Sequence, residues 1–222
     1  MYRTMIVTFA LFGALTLGAC SEDGMEPFAP EMSQVAEAPM GKPDFAGSNA
    51  APRKGMDPIA TVASNEGLDL LVAALVYVDE NEGTELVKLF SEGTDQYTVF
   101  APTNGAFGRL LDILNNDLGF EFPTLTDIPS SIVLDVLLYH VVDGRRAANS
   151  VVPRNGERTM SSLLGEKFFV RTDGTIRDGL SGSGIGSDAE IKKANISASN
   201  GIIHKINEVI VPPSVVAALT GS

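Results

Sequence analysis

The residues that could do chemistry in this chain are few. His140 and His204 are the only imidazoles in 222 residues, and Cys20 is the only thiol. A nucleophilic triad needs a histidine beside a serine in space. Both histidines instead sit in apolar runs, LLYHVV and GIIHKI, which mark packed side chains hydrogen-bonded to backbone. No Gly-x-Ser-x-Gly elbow is present to expose a serine. Two histidines without a spaced ligand pattern make no zinc site. The segment DGLSGSGIGSD, Asp178 to Asp188, has acidic ends and many carbonyls that could attract calcium weakly, yet it lacks the spaced acidic ligands of an EF-hand loop. Its Gly-x-Gly-x-Gly core follows no strand-to-helix unit and lies in negative surroundings, so the expectation is a flexible surface loop rather than a phosphate cradle. No catalytic, cofactor-binding or metal-binding residues are assigned, and an enzyme is not expected.

The one thiol suggests a different use. MYRTMIVTFALFGALTLGAC places Arg3 ahead of an apolar stretch and small residues ahead of Cys20. This is the build of a secretory signal, too short and too poorly flanked for a membrane span. Its ending, Leu17-Gly-Ala-Cys20, resembles the bacterial lipobox. The resemblance implies cleavage before Cys20 and a diacylglycerol on its thiol; an ordinary signal cut nearby, with Cys20 incidental, is the alternative. Residues 21–55 carry five prolines and four glycines with no sustained period, a composition that cannot bury enough apolar area to offset chain entropy. The expected organisation is a signal peptide over 1–19, lipidated Cys20 with a disordered tether over 20–55, a folded domain over 56–213 and a C-terminal tail over 214–222. Apolar residues make up 44% of the chain, enough for a packed core, and the net charge of −12 weighs against nucleic acid as a partner.

The folded part opens on helical patterns. Asp57-Pro58 reads as a helix start, an N-cap acceptor followed by proline. Leu68, Leu71, Val72, Leu75 and Val78 form a second helical stripe, and Glu85 to Phe90 a third short helix. YTVFAPTNGAF, residues 97–107, reads as a structural corner: a buried strand, stopped by Pro102, then a helix whose free N–H groups Thr103 or Asn104 would accept. Residues 115–127 read as a loop holding Leu118, Phe120 and Phe122, and Ser130 or Ser131 as the cap of a helix carrying Ile132, Val133, Val136, Leu137 and Tyr139. Beyond Asp143-Gly144 the period becomes that of strands. Hairpin turns are expected at Asp173-Gly174 and Asn200-Gly201. Helices first and hairpins second predict an α+β domain with a largely antiparallel sheet.

Three segments, TVFAPTNGAF at 98–107, Tyr139-His140 followed by Val-Val, and Ser199-Asn-Gly-Ile-Ile-His204 running to Val211-Pro212, together resemble the motifs of the fasciclin-type (FAS1) domain. They occur in the family's order and cover the chain from about Asp57 to Pro213. The resemblance implies two small, mostly antiparallel sheets in a wedge with helices packed around them, surface-anchored or extracellular adhesion, and no enzymatic activity. It also gives Tyr139 and His140 a claim as binding residues, against a reading in which the flanking Leu137, Leu138, Val141 and Val142 bury them. Two segments, 115–127 and 178–188, are longer than the family pattern. The expected function is non-catalytic adhesion or matrix contact from a membrane anchor, on the periplasmic side or cell surface, with a protein or glycan partner and no cofactor. A carrier of a hydrophobic small molecule in an apolar groove is the alternative.

Overall fold

A computed structural model describes residues 57–221 of the chain. The signal segment, Cys20 and the tether up to residue 56 lie outside the described residues. Three helices come first: α1 (Ile59–Asn65), α2 (Asp69–Glu82) and α3 (Leu86–Glu92). Strand β1 (Tyr97–Pro102) then leads through Thr103 into α4 (Asn104–Asp112), which runs on as a wider π turn over Ile113–Asp117. A 3-10 turn (Leu125–Asp127), helix α5 (Ser130–Tyr139), strand β2 (Val141–Asp143) and the short α6 (Ala148–Val151) follow. Strands β3 (Glu157–Ser161), β4 (Lys167–Arg171) and β5 (Thr175–Arg177) make a meander, α7 (Gly179–Ser183) intervenes, and β6 (Ala189–Ala198) and β7 (Gly201–Ile206) close the hairpin before α8 (Pro213–Thr220).

The strand order is β2-β1-β7-β6-β5-β4-β3. Every described pair is antiparallel except β1 with β7, which run parallel from Tyr97 opposite Gly201 to Pro102 opposite Ile206. The two small sheets share β6: Ala189 and Glu190 pair with β5, and Ile191 to Ala198 pair with β7 across two register shifts. Those shifts let one strand serve both sheets by bending it. Asn195 takes a left-handed conformation there (φ 62°), one that asparagine tolerates better than most residues. The Leu163 N–H, just past β3, donates to the Val141 carbonyl of β2 at 2.8 Å, so the two ends of the strand order approach each other.

Two apolar cores result. Side chains of β1 and β7 such as Val99, Ala101 and Ile203 pack with the helices. Phe100, Val142, Met160, Phe168, Val170, Ile176 and Ile206 fill the space within the curled strands. This is why β1 and β7 are buried almost throughout while β4 and β5 alternate: the central pair is covered on both faces, the meander on one.

The starts of α1, α2 and α3 are capped from elsewhere in the chain, against the local expectation. Pro58 precedes α1 with no side-chain cap, and the Ile59 N–H instead donates to Asn200 Oδ1 at 2.8 Å. Asn104 does not cap α4. Its carboxamide accepts from the Leu70 N–H at the start of α2, 3.1 Å away, and donates to Asp69. Ser130 opens α5 but points its hydroxyl at Glu82. Asp79, within α2, accepts from the N–H groups of Leu86 and Val87 at 2.8 Å each and so caps α3. The C-terminal tail of the sequence reading is a packed helix, α8, with Val215 and Val216 buried. The stretch 178–188, expected to be a flexible surface loop, contains α7, whose N-terminus is capped by Asp178 through the Ser181 N–H at 2.9 Å.

Asn200 joins three elements. Besides capping α1, its Nδ2 donates to the carbonyls of Leu89 (3.4 Å) and Phe90 (3.1 Å) at the end of α3, and the residue is 2% exposed. Asn200→Ala should therefore destabilise the domain by about 2–4 kcal/mol, since it strands buried backbone groups at two helix ends. A guanidinium titration of the full chain should show a lower midpoint with an unchanged slope.

Candidate functional site

The Tyr139-His140 pair sits where α5 hands over to β2. Helix periodicity turns both side chains inward, and the Val136 and Leu137 carbonyls accept the His140 N–H. Tyr139 is fully buried, its hydroxyl donating to the Lys167 carbonyl at 2.9 Å and its ring edge-on to Phe168 at 5.5 Å. Burial, with Asp178 and Glu166 nearby, pushes its hydroxyl pKa upward. His140 is 2% exposed. Its Nδ1 lies 2.6 Å from the Val136 carbonyl and its Nε2 accepts the Ile210 N–H at 3.1 Å. These partners assign a neutral ring protonated at Nδ1. Burial depresses its pKa to about 4. Neither side chain reaches the surface of the folded domain, so the burial that their apolar neighbours imply is what the fold delivers.

His204 is bound in the same way. Its Nε2 lies 2.9 Å from the Arg146 carbonyl, its Nδ1 accepts the Asn195 N–H at 3.3 Å, and burial lowers its pKa. All four imidazole nitrogens are thus spent on main-chain groups, and no serine stands within hydrogen-bonding reach of either ring among the contacts described. No group of three or more His, Cys, Asp or Glu that could hold a metal occurs among the described residues.

The two long segments are also tied down. Asp178 Oδ1 accepts from the Ser181 N–H and hydroxyl, and Oδ2 from the Val211 N–H at 2.6 Å; burial nevertheless pushes this carboxyl pKa up. At the other end Asp188 pairs with Arg171. Both acidic ends of DGLSGSGIGSD thus make contacts within the fold. In the 115–127 segment the Asn115 carboxamide makes two hydrogen bonds to the Phe122 backbone, at 3.0 and 2.8 Å, and Phe120 stacks on Phe122 at 5.2 Å. Beneath lies a wholly apolar cleft between α4, α5 and α8, lined by Leu110, Leu114, Phe122, Ile132 and Leu219 among others, with a volume of about 30 Å³. That admits a small apolar group and not a long chain. Sequence pattern pointed to an apolar knot here; nothing in it placed the cleft between three helices so distant in sequence.

Comparison with known proteins identifies a family. A profile of the Fasciclin domain matches residues 76–212. The chain is 34% identical to "Protein sll1483" of Synechocystis sp. over 84% of this chain and 91% of the relative. It is 30% identical to "Immunogenic protein MPB70" of Mycobacterium bovis, over 71% and 70% of the two chains. It is 26% identical to the same organism's "Cell surface glycolipoprotein MPB83", over 81% and 69%. A solved structure of a FAS1 domain pair from the insect cell adhesion molecule Fasciclin I aligns with 67% of this chain and 46% of that one, at 17% identity and a TM-score of 0.44.

The buried histidines make stability depend on pH. The folded pKa of His140, about 4, lies below its ordinary 6.5, so its contribution is complete above 6.5 and is lost as pH falls from there through 4. The loss should be about 3 kcal/mol for this group, with His204 adding in the same direction. Denaturation at pH 7.5 and pH 4 should show it. His140→Gln should take up one proton fewer on unfolding in that window and show a visibly flatter pH dependence than the natural chain.

Proposed function

The chain belongs to the fasciclin (FAS1) domain family, and from that premise we propose that it is a lipid-anchored surface protein whose domain makes non-catalytic adhesive or matrix contact. The observation that carries this reading is the internal saturation of both histidines. The only imidazoles in the sequence are structural ties, which leaves a folded scaffold whose outer surface is what a partner meets. The anchor rests on Leu17-Gly-Ala-Cys20 after an apolar run. A relative in Mycobacterium bovis is named a cell surface glycolipoprotein, which supports the same placement. No helix among the described residues is long and apolar enough to cross a membrane, and two or three acyl chains on Cys20 would anchor stably at about 0.8 kcal/mol per buried methylene. A tether of the composition and length of 21–55 would have a root-mean-square reach of about 30–35 Å as a flexible coil. Many copies on one surface would then add avidity to weak single contacts.

Mass spectrometry of the mature protein should find Cys20 first and acylated. In an attachment assay, Cys20→Ala and deletion of residues 25–52 should each lower adhesion while the domain stays folded. A mature protein that begins elsewhere and is unmodified would remove the anchor from this reading. Attachment unaffected by either change would remove adhesion. A second reading, carriage of a hydrophobic small molecule, is favoured by one observation, the wholly apolar lining of the cleft beneath Phe122. Organic extraction of the purified full chain should yield a stoichiometric apolar molecule if that reading holds, and none if the cleft is simply packed core.

A further inference from the structure

The charge of this domain is unevenly divided. Residues 57–144 contain fifteen Asp and Glu against two Lys and Arg. Residues 145–177, which include β3, β4 and β5, contain seven Lys and Arg against three acidic residues. Three of those seven, Lys167, Arg171 and Arg177, lie on the outward face of the strands, and a protein that repels polyanions in general would accept an anionic partner where such cations gather.

Those strands also present the right face. Their inward positions, Met160, Phe168, Val170 and Ile176, are buried, so the alternate positions look outward. Across the pleat the outward residues form rows fixed by register: Ser161 beside Lys167, Thr159 beside Phe169 beside Arg177, and Glu157 beside Arg171. Hydroxyls and cations therefore stand together on this face, with Glu157 bonded to Arg171 and Arg177 and Asp188 to Arg171, and Gly182 of α7 and Pro213 of α8 border it. Arg177 is held over the Phe169 ring, its Cζ 5.0 Å from the centroid, with Nη2 on Glu157 at 3.0 Å. Its Nε is buried without an acceptor. Lys167 is exposed and makes no ion pair among the described residues, while its carbonyl is fixed to the core by the Tyr139 hydroxyl. Lys167, Phe169 and Arg177 share a recess of about 160 Å³ with Gly182 and Pro213. Asp178 also lines it, but its carboxylate oxygens are taken by Ser181 and Val211.

We propose that the outward face of β3, β4 and β5 is the partner-binding surface of the domain, and that it takes a carboxylate-bearing polysaccharide, one acidic sugar seating its carboxylate between Lys167 and Arg177. This rests on the reading of the domain as a non-catalytic binding module. The recess is smaller than the roughly 300–1,000 Å³ of a small-molecule site, so it suits one unit of a chain that lies along the sheet. A guanidinium already oriented by an aromatic ring and a carboxylate gives a planar, preorganised donor for a carboxylate. The hydroxyls of Thr159 and Ser161 suit sugar hydroxyls. An anionic bilayer fits less well: Phe169 lies half-buried under Arg177, and the exposed apolar side chain nearest the face, Leu163, sits in the β3–β4 turn and not among the outward rows.

The test is binding of the purified full chain to polygalacturonate, with neutral dextran and phosphatidylglycerol vesicles as parallel probes. Polygalacturonate should be retained at low ionic strength and released by salt, and dextran should not be retained. Lys167→Glu should weaken binding about tenfold. Lys88→Glu, an equal change in net charge placed in the acidic half, should not. Thermal melts establish that both variants are folded, and Lys167→Gln supplies a milder version if the reversal is not. Absence of polygalacturonate binding overturns the proposal, as does equal weakening by both reversals or stronger, Lys167-dependent binding to the vesicles. If polygalacturonate fails while cell attachment still requires Cys20, this surface assignment falls and the adhesion reading stands; if attachment is also independent of Cys20, both fall.

Discussion

The parallel pairing of β1 with β7 is the constraint from which the rest of the domain follows, and it is set at one corner. Gly201 opens β7 opposite Tyr97, so close that a Cβ would run into the Tyr97 carbonyl and the Ile59 side chain. Only glycine allows that approach. The residue before it, Asn200, turns its carboxamide into the helices and satisfies the start of α1 and the end of α3 together. Sheet and helices are thus locked at a single point contributed by two adjacent residues. With β7 fixed beside β1, both strands are covered on each face, and the two apolar cores lie on opposite sides of them.

The histidines extend the same logic. Each imidazole links backbone groups that no regular ladder could pair: His140 ties α5 to the segment after β7, and His204 ties β7 to the bulge of β6 and to Arg146. A neutral imidazole suits this because it offers one donor and one acceptor in fixed opposition. The same use withdraws both rings from chemistry, since a general base needs a free nitrogen facing a substrate. Both imidazoles are spent on holding the fold, and the charged side chains lie on the surface. There the acidic residues of the helical half contrast with Lys167, Arg171 and Arg177 on the β3–β5 meander.

Sequence by itself determined the class of the fold and most of its elements. Apolar spacing located α2 and α5, the turn pairs Asp173-Gly174 and Asn200-Gly201 located the hairpins, and the apolar flanks of His140 and His204 already indicated burial, because periodicity and turn chemistry are local properties of the chain. Three motifs in register were enough to indicate the family. The caps were not legible. Asn104 and Ser130 were each the right type beside a helix and Asn200 sat in a hairpin turn, yet each bonds to a helix or side chain far away in sequence. A side-chain oxygen serves whichever unsatisfied N–H the packing brings near, and that neighbour is decided only in three dimensions. Tertiary structure likewise turned a glycine-rich stretch into α7, by burying Asp178 where Val211 and Ser181 could donate to it. And it alone gathered Lys167, Phe169 and Arg177 on one face, because register across antiparallel strands, not distance along the chain, decides which outward side chains stand together.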